Sequence, residues 1–230
     1  MVILKTINYL MIRIQRRVQG IPKPGSIVYG KLASKLLRTL HLNVVDEILS
    51  RKTDCKRVLD LGCGTADLLT ILASKSKEFF LVGLDISWSM LRVSLRNIEK
   101  HNFKEFIDLI NADAHKLPLR DKSIDLIVST GTLHHIRKPE EVFFECVRVL
   151  SNSGEAWIYE FSHDIALKEV SSSSKRLKRS RLLLKTIAAL HGIPRREFIE
   201  GCIRKSLKKA NVCYELKFNG IVTKLVIRTH

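Results

Sequence analysis

Val58-Leu-Asp-Leu-Gly-Cys-Gly-Thr-Ala66 decides how the rest of the chain is read. A short apolar run beginning at Arg57 ends here in two glycines, and the helical stretch Asp67-Leu-Leu-Thr-Ile-Leu72 follows. Glycine at Gly62 and Gly64 lets the backbone turn sharply and keeps any Cβ out of a ligand's path. A glycine bend after a strand is a weak signal alone. Its companion is Asp85, which ends the next apolar run, Phe79–Leu84, 25 positions beyond Asp60. In a doubly wound sheet both points lie at the carboxyl edge, beside the crevice where ligands bind. A carboxylate there has the acceptors to receive two ribose hydroxyls. The pair therefore points to a nucleoside-containing cofactor. A dehydrogenase fits less well, because Asp67 stands where G-x-G-x-x-G requires its last glycine.

From Arg57 to Phe161 short apolar runs alternate with helical stretches, which predicts βαβ units and a parallel sheet. After the second strand, Ser87 reads as the N-cap of an amphipathic helix through Met90, Leu91, Leu95 and Ile98. Strand three falls near residues 106–110 and strand four at Ile124–Val128. A helix from Pro139 to Leu150 opens with proline and two glutamates, and strand five is Glu155–Glu160. Residues 163–192 break the rhythm as a basic insertion rich in Ser, Lys and Arg. A helix from about Pro194 to Ala210 follows. Val212–Phe218 and Ile221–Arg228, joined at Asn219-Gly220, predict a closing β-hairpin. Residues 1–55 read as a helical arm or lid on a domain spanning 56–230. Within that arm, Ile3, Ile7, Leu10, Ile14 and Val18 line one face of a basic amphipathic helix, expected to pack on its own domain or, secondarily, to touch a membrane surface. A second helix is expected to begin near Lys31.

Four ordered motifs carry a family resemblance: Val58–Ala66, Val82-Gly-Leu-Asp-Ile-Ser87, Asn111-Ala-Asp-Ala-His-Lys-Leu-Pro-Leu119 and Asp121-Lys-Ser-Ile-Asp-Leu-Ile-Val-Ser129. Together they resemble class I S-adenosylmethionine-dependent methyltransferases. Leu133-His-His-Ile136, Glu145–Leu150 and Trp157-Ile-Tyr159 resemble the type 11, quinone-methyltransferase-like branch. The resemblance implies an α/β, Rossmann-like, mostly parallel seven-stranded sheet with helices on both faces and a C-terminal antiparallel hairpin. It also implies site roles. Gly62 and Gly64 pass under the methionine part, Asp60 supports the loop and the amino group, Asp85 holds the ribose and Ile86 packs on adenine. Asp113 with Ala114 meets the adenine edge, and Ser129 and Thr130 lie near the methionine moiety or the acceptor. Ala66 replaces the frequent third glycine of the loop.

Methyl transfer from a sulfonium needs in-line orientation first, and a base only where the nucleophile must lose a proton. Glu160 and His163 are the candidate bases, ahead of His134, His135 and Asp164; a structural role is the plainer reading of the two adjacent histidines. The net charge of +17 is unevenly placed: residues 1–57 hold +9, residues 58–162 hold −3 and residues 163–213 hold +9. In such a fold the two basic segments flank the acceptor side, so the acceptor or its surroundings are expected to be anionic or hydrophobic. A small or lipid-like acceptor is the first expectation and RNA the alternative; a non-catalytic cofactor-binding protein comes last. No Pro-Pro-Tyr/Phe motif follows strand four, where Ser129-Thr-Gly-Thr132 stands, and this argues against exocyclic-amine methylation of adenine. Five scattered cysteines without a CxxC pair predict neither a zinc site nor a disulfide framework. No apolar run approaches a membrane span and no signal sequence is evident, so a cytoplasmic protein is expected.

Overall fold

The computed structural model describes residues 26–50, 55–177, 180–182, 184, 185, 188 and 192–229. The basic amphipathic stretch Ile3–Val18 lies outside them. In chain order the elements are α1 (Ser26–Ser50), β1 (Arg57–Leu61), α2 (Asp67–Lys75), β2 (Phe80–Asp85), α3 (Trp88–Lys100), β3 (Ile107–Asn111), β4 (Ile124–Thr130), a 3₁₀ turn (Leu133–His135), α4 (Pro139–Val149), β5 (Leu150–Phe161), α5 (Leu167–Leu177), α6 (Arg195–Ile199), α7 (Cys202–Lys209), β6 (Cys213–Asn219) and β7 (Val222–Arg228).

The seven strands form one sheet in the order β3-β2-β1-β4-β5-β7-β6. Pairing is parallel throughout except where β7 runs antiparallel between β5 and β6. This is the sheet the motif order implied. Strand order reverses between β1 and β4, so the ligand crevice expected of a doubly wound sheet lies over those two tips. Both faces are covered, which is why β1 and β4 read as nearly continuous apolar runs. On one face Val58, Leu69, Leu72, Val128, Trp157 and Tyr159 pack with Leu40, Val44 and Val45 of α1. On the other, Leu59, Ile127, Ile158 and Leu225 pack with Phe143 of α4, Phe198 of α6 and Leu207 of α7.

Three boundaries and one cap differ from the sequence expectation. The second helix begins at Ser26, not near Lys31. From Leu40 to Ile48 it is packed into the domain core rather than standing off as a lid, so this part of the expected 1–55 arm is a layer of the domain. Strand β5 begins at Leu150, straight after α4, and not at Glu155; the register shift opposite Ile124 and Leu126 absorbs the polar Ser-Asn-Ser-Gly stretch. The expected Pro194–Ala210 helix is two helices, because Glu197 Oε2 accepts the Cys202 N–H at 2.9 Å and starts α7 afresh at Gly201. Ser87 stands at the N-terminus of α3, but its hydroxyl lies 2.9 Å from Ser89 Oγ and makes no capping bond.

The basic insertion leaves the end of β5 and returns to it. Phe161 O accepts the Ile193 N–H at 2.8 Å, and Asp164 accepts the backbone N–H groups of Arg195 and Arg196. No helix among the described residues is long and apolar enough to cross a membrane.

Candidate functional site

The bend after β1 is built from left-handed backbone. Gly62 has φ +79° and Gly64 φ +55°, and Gly62 and Cys63 both donate their N–H to Leu84 O, at 2.7 and 3.0 Å. A Cβ on Gly62 would lie 2.5 Å from Thr132 Cγ2, whereas one on Gly64 would meet only Met90 Cε at 3.7 Å. The two glycines therefore serve different needs. The first lets the bend press against the loop after β4, and the second leaves the outer surface of the bend open. Ala66 is also left-handed, with φ +58°, so the residue that replaces the third glycine still adopts the glycine conformation. A β-carbon there costs about 1–2 kcal/mol.

Two side chains absent from the sequence reading hold this bend from α3. Ser94 Oγ donates to Gly64 O at 2.5 Å, and Asn97 Nδ2 donates to Thr65 O at 3.0 Å and to Asp67 Oδ1 at 3.1 Å. Asp85, at the tip of β2, closes the arrangement. Its Oδ2 accepts the Gly64 N–H at 3.0 Å and its Oδ1 the Ser87 N–H at 2.8 Å. Each oxygen keeps a lone pair for a further donor. Burial raises the Asp85 carboxyl above the usual range, against the pull of those two amides.

Asp60 lies beneath the bend and is buried; its Oδ1 has no hydrogen-bond partner among the described residues. Its pKa is pushed up to about 8, first by desolvation and then by the negative charges of Asp85 and Asp67. Three carboxyl groups, Asp60 among them largely protonated at neutral pH, thus converge on one glycine bend. The pattern suits a cation and repels the pyrophosphate of a dinucleotide, whose negative charge a Gly-rich loop normally receives at a helix N-terminus.

The remaining wall comes from the segment after β3. Arg148 on α4 donates to Leu117 O and Leu119 O, both at 2.9 Å, and pairs with Glu145 and Asp121 at 2.7 Å. Glu145 in turn accepts the Leu117 N–H at 2.7 Å. This clamp fixes the 112–121 loop. Within it Asp113 Oδ1 accepts the His115 N–H at 3.0 Å and lies 2.5 Å from His115 Nδ1. Desolvation opposes ionisation of Asp113, yet those contacts outweigh it and hold its pKa below the usual carboxylate value. Ile86 is 45% exposed beside the bend.

Ser129 is buried, and its hydroxyl donates to Leu61 O at 2.8 Å, tying the tips of β1 and β4 together. Thr130, the next residue, faces the opposite way and lies 3.0 Å from His41 Nε2 on α1. His41 was invisible to motif reading, because it sits 89 positions away in a helix without a recognisable pattern.

The candidate bases separate. Trp157, Tyr159 and Phe161 face α1, so by alternation Glu160 points to the other side of the sheet. There it is buried, 3.1 Å from His134 Nδ1 and 3.3 Å from the His134 N–H. Glu160 therefore holds the 3₁₀ turn and is withdrawn from the α1 side of the strand tips. His135 lies against His134 with ring centroids 4.0 Å apart and the ring planes tilted by 45°. His163 is half-buried with Nδ1 3.3 Å from Ala188 O, and burial lowers its pKa. Asp164 is committed to the start of α6. Replacing Glu160 by Gln is expected to lower the melting temperature while leaving methyl transfer within about threefold; a collapsed rate at unchanged stability would restore Glu160 as a base.

Comparison with known proteins agrees with this geometry. The methyltransferase domain family matches residues 52–220. A malonyl-[acyl-carrier protein] O-methyltransferase of Geobacter sulfurreducens is 27% identical over 181 residues, covering 79% of this chain and 61% of that protein. A demethylmenaquinone methyltransferase of Thermotoga maritima is 33% identical over 117 residues, covering 51% of this chain and 48% of that one. The alignments thus span about half to three fifths of these relatives' lengths. Among solved structures, the plantazolicin methyltransferase BpumL, in complex with a desmethylPZN analog and S-adenosylhomocysteine, shares the fold at a TM-score of 0.68 and 13% identity, covering 99% of this chain and 100% of that one. The chain belongs to the methyltransferase domain family and has the Rossmann-like fold of S-adenosylmethionine-dependent methyltransferases.

Proposed function

We propose that this chain is an S-adenosylmethionine-dependent methyltransferase acting on a small-molecule or lipid-like acceptor. The observation that carries the reading is the convergence of Asp60, Asp67 and Asp85 on a left-handed glycine bend. Bound there, S-adenosylmethionine would supply an activated methyl group on a cationic sulfur. Asp85 would receive the ribose hydroxyls, and the unsatisfied Asp60 Oδ1 suits the ammonium of the methionine part, through water or directly. Ile86 would cover one face of the adenine, with the clamped 112–121 loop at its edge. Gly62 and Gly64 let the backbone run beneath the methionine tail. The chain's task is orientation, which is worth about 7–11 kcal/mol in reactions of this kind.

The relatives named for acyl-carrier-protein and quinone acceptors favour an acceptor with a hydrophobic body and one reactive polar atom. Tritiated S-adenosylmethionine incubated with extract split into RNA, protein, lipid and small-molecule pools tests this. Label in the lipid or small-molecule pool, or in protein but released by thioester cleavage, is expected; label confined to RNA or to protein after that cleavage would overturn the acceptor class, and no label anywhere would overturn the activity.

Asp60 adds a pH prediction. Its folded pKa, about 8, lies above the ordinary 3.8, so its stabilising effect is complete below about 4 and is lost as pH rises toward 8. Asp60→Asn is therefore expected to melt progressively higher than the parent as pH climbs from 4 to 8, by at least about 4 °C at pH 8. The same carboxyl must ionise to receive a cation, so binding of S-adenosylmethionine near pH 7 is expected to release protons in the parent and fewer in Asp60→Asn. Calorimetry in two buffers of different ionisation enthalpy measures the difference. Equal proton release would remove Asp60 from the ammonium's side.

A further inference from the structure

The neutral polar pair between α1 and the tip of β4 lies outside every motif. His41 is only 7% exposed, on a helix whose neighbouring buried residues Leu40, Val44, Val45 and Ile48 are aliphatic. Nε2 is 3.0 Å from Thr130 Oγ1, while Nδ1 is buried with no hydrogen-bond partner among the described residues. A buried imidazole nitrogen left unsatisfied is costly, and packing alone would be better served by leucine. The charged groups that act on the ring are Asp67, at the start of α2, and Arg38, one turn earlier on α1; their effects oppose one another. Desolvation dominates both and drops the pKa to about 4, so the ring is uncharged at neutral pH.

The position matters more than the burial. Thr130 ends β4 at the strand-order reversal, and Thr132, two residues on, abuts Gly62 of the glycine bend. Leu37, one turn before His41, approaches Gly131 closely enough that a Cβ there would touch its Cδ2 at 3.9 Å. Leu37 and His41 thus seat α1 against the tip of β4 and the loop beside the glycine bend. One of these two side chains is apolar, and the other is a neutral ring whose Nδ1 has no hydrogen-bond partner among the described residues.

We propose that His41 is a specificity and positioning residue of the acceptor site: its ring anchors on Thr130, and Nδ1 takes a hydrogen bond from or to the polar group of an uncharged acceptor with an apolar body. The inference rests on the methyltransferase reading. It narrows the acceptor from anionic or hydrophobic to a neutral molecule near the reacting atom, leaving the basic segments to act elsewhere on the surface.

The test is His41→Leu, His41→Gln and Thr130→Val, each compared with the parent in three measurements. Thermal melting comes first. A side chain kept for ligand binding at the expense of the core predicts that His41→Leu melts about 2–4 °C higher than the parent. Calorimetric affinity for S-adenosylhomocysteine is expected to stay within threefold in all three variants. Labelled methyl transfer to the accepting pool is expected to fall at least tenfold in His41→Leu and Thr130→Val, with partial recovery in His41→Gln, whose amide can replace both hydrogen bonds. A His41→Leu protein that melts lower than the parent would make the ring a structural core residue and overturn the proposal, as would transfer within threefold of the parent. Failure of the parent to bind S-adenosylhomocysteine would instead fault the methyltransferase reading, and the rise in melting temperature would still judge the histidine.

Discussion

Replacing Asp85 by alanine is expected to weaken binding of S-adenosylhomocysteine by about 10²–10³-fold while the fold survives. The carboxylate accepts the Gly64 and Ser87 amides, so its removal loosens the glycine bend and deletes the two acceptors proposed for the ribose. Hydrogen bonds to a charged group are worth about 1.5–3 kcal/mol each, so losing two at the lower end costs about 3–4 kcal/mol, and 1.4 kcal/mol is tenfold in affinity. The side chain lies at the sheet edge, and burial opposes its charged form. Deleting it should therefore leave melting within a few degrees of the parent. Asp85→Asn, which keeps one acceptor oxygen, should fall between the two. Titration calorimetry with S-adenosylhomocysteine decides the matter, and an Asp85→Ala affinity within threefold of the parent would remove the ribose from this carboxylate.

Gly62→Ala should be more damaging to the protein itself. Two independent effects add there. At φ +79° a β-carbon costs about 1–2 kcal/mol, and at this position it collides with the Thr132 side chain, an overpacking that costs about 1–3 kcal/mol more. A total of about 2–5 kcal/mol would lower the melting temperature by roughly 4–20 °C at this chain length. Relief of the collision would push the bend away from the loop after β4, so cofactor affinity should fall with it. Gly62→Ala combined with Thr132→Ser removes part of the collision and leaves the backbone cost. Partial recovery of stability would separate the Cγ2 contact from the rest, and no recovery would assign the loss to the left-handed backbone and the remaining Oγ1 contact.

The glycine bend proposed to hold the cofactor was legible because its demands are local. A strand that must stop, a backbone that must turn left-handed and an acid at the next strand tip each leave a mark within a few residues, and Asp60, Gly62, Gly64 and Asp85 could be named from spacing. What holds them was not legible. Ser94 and Asn97 act on the bend from about 30 positions away, and Arg148 secures carbonyls 29 and 31 positions earlier; serine, asparagine and arginine on a helix face otherwise read as solvated residues. The direction of Glu160 was readable and was not used. Trp157 and Tyr159 set the parity of β5, and that parity turns Glu160 toward α4 and His134. His41 could not have been found, since its significance depends on where α1 docks.

That docking has a consequence for how the protein is made. Near the end of α1, Glu47 accepts the Tyr159 hydroxyl at 2.9 Å and the Lys224 ammonium at 2.6 Å, and Lys224 in turn lies 3.7 Å from the Trp157 ring centroid. The Glu47–Lys224 contact spans 177 positions of chain. At roughly 5–20 residues per second, a ribosome releases the lysine about 10–35 s after the glutamate. Throughout that interval β7 is missing, so the α1 face that clusters with Ile221, Val222 and Val226 stays partly uncovered. The α1 side of the sheet, unlike the glycine bend, is completed only when β7 has been made.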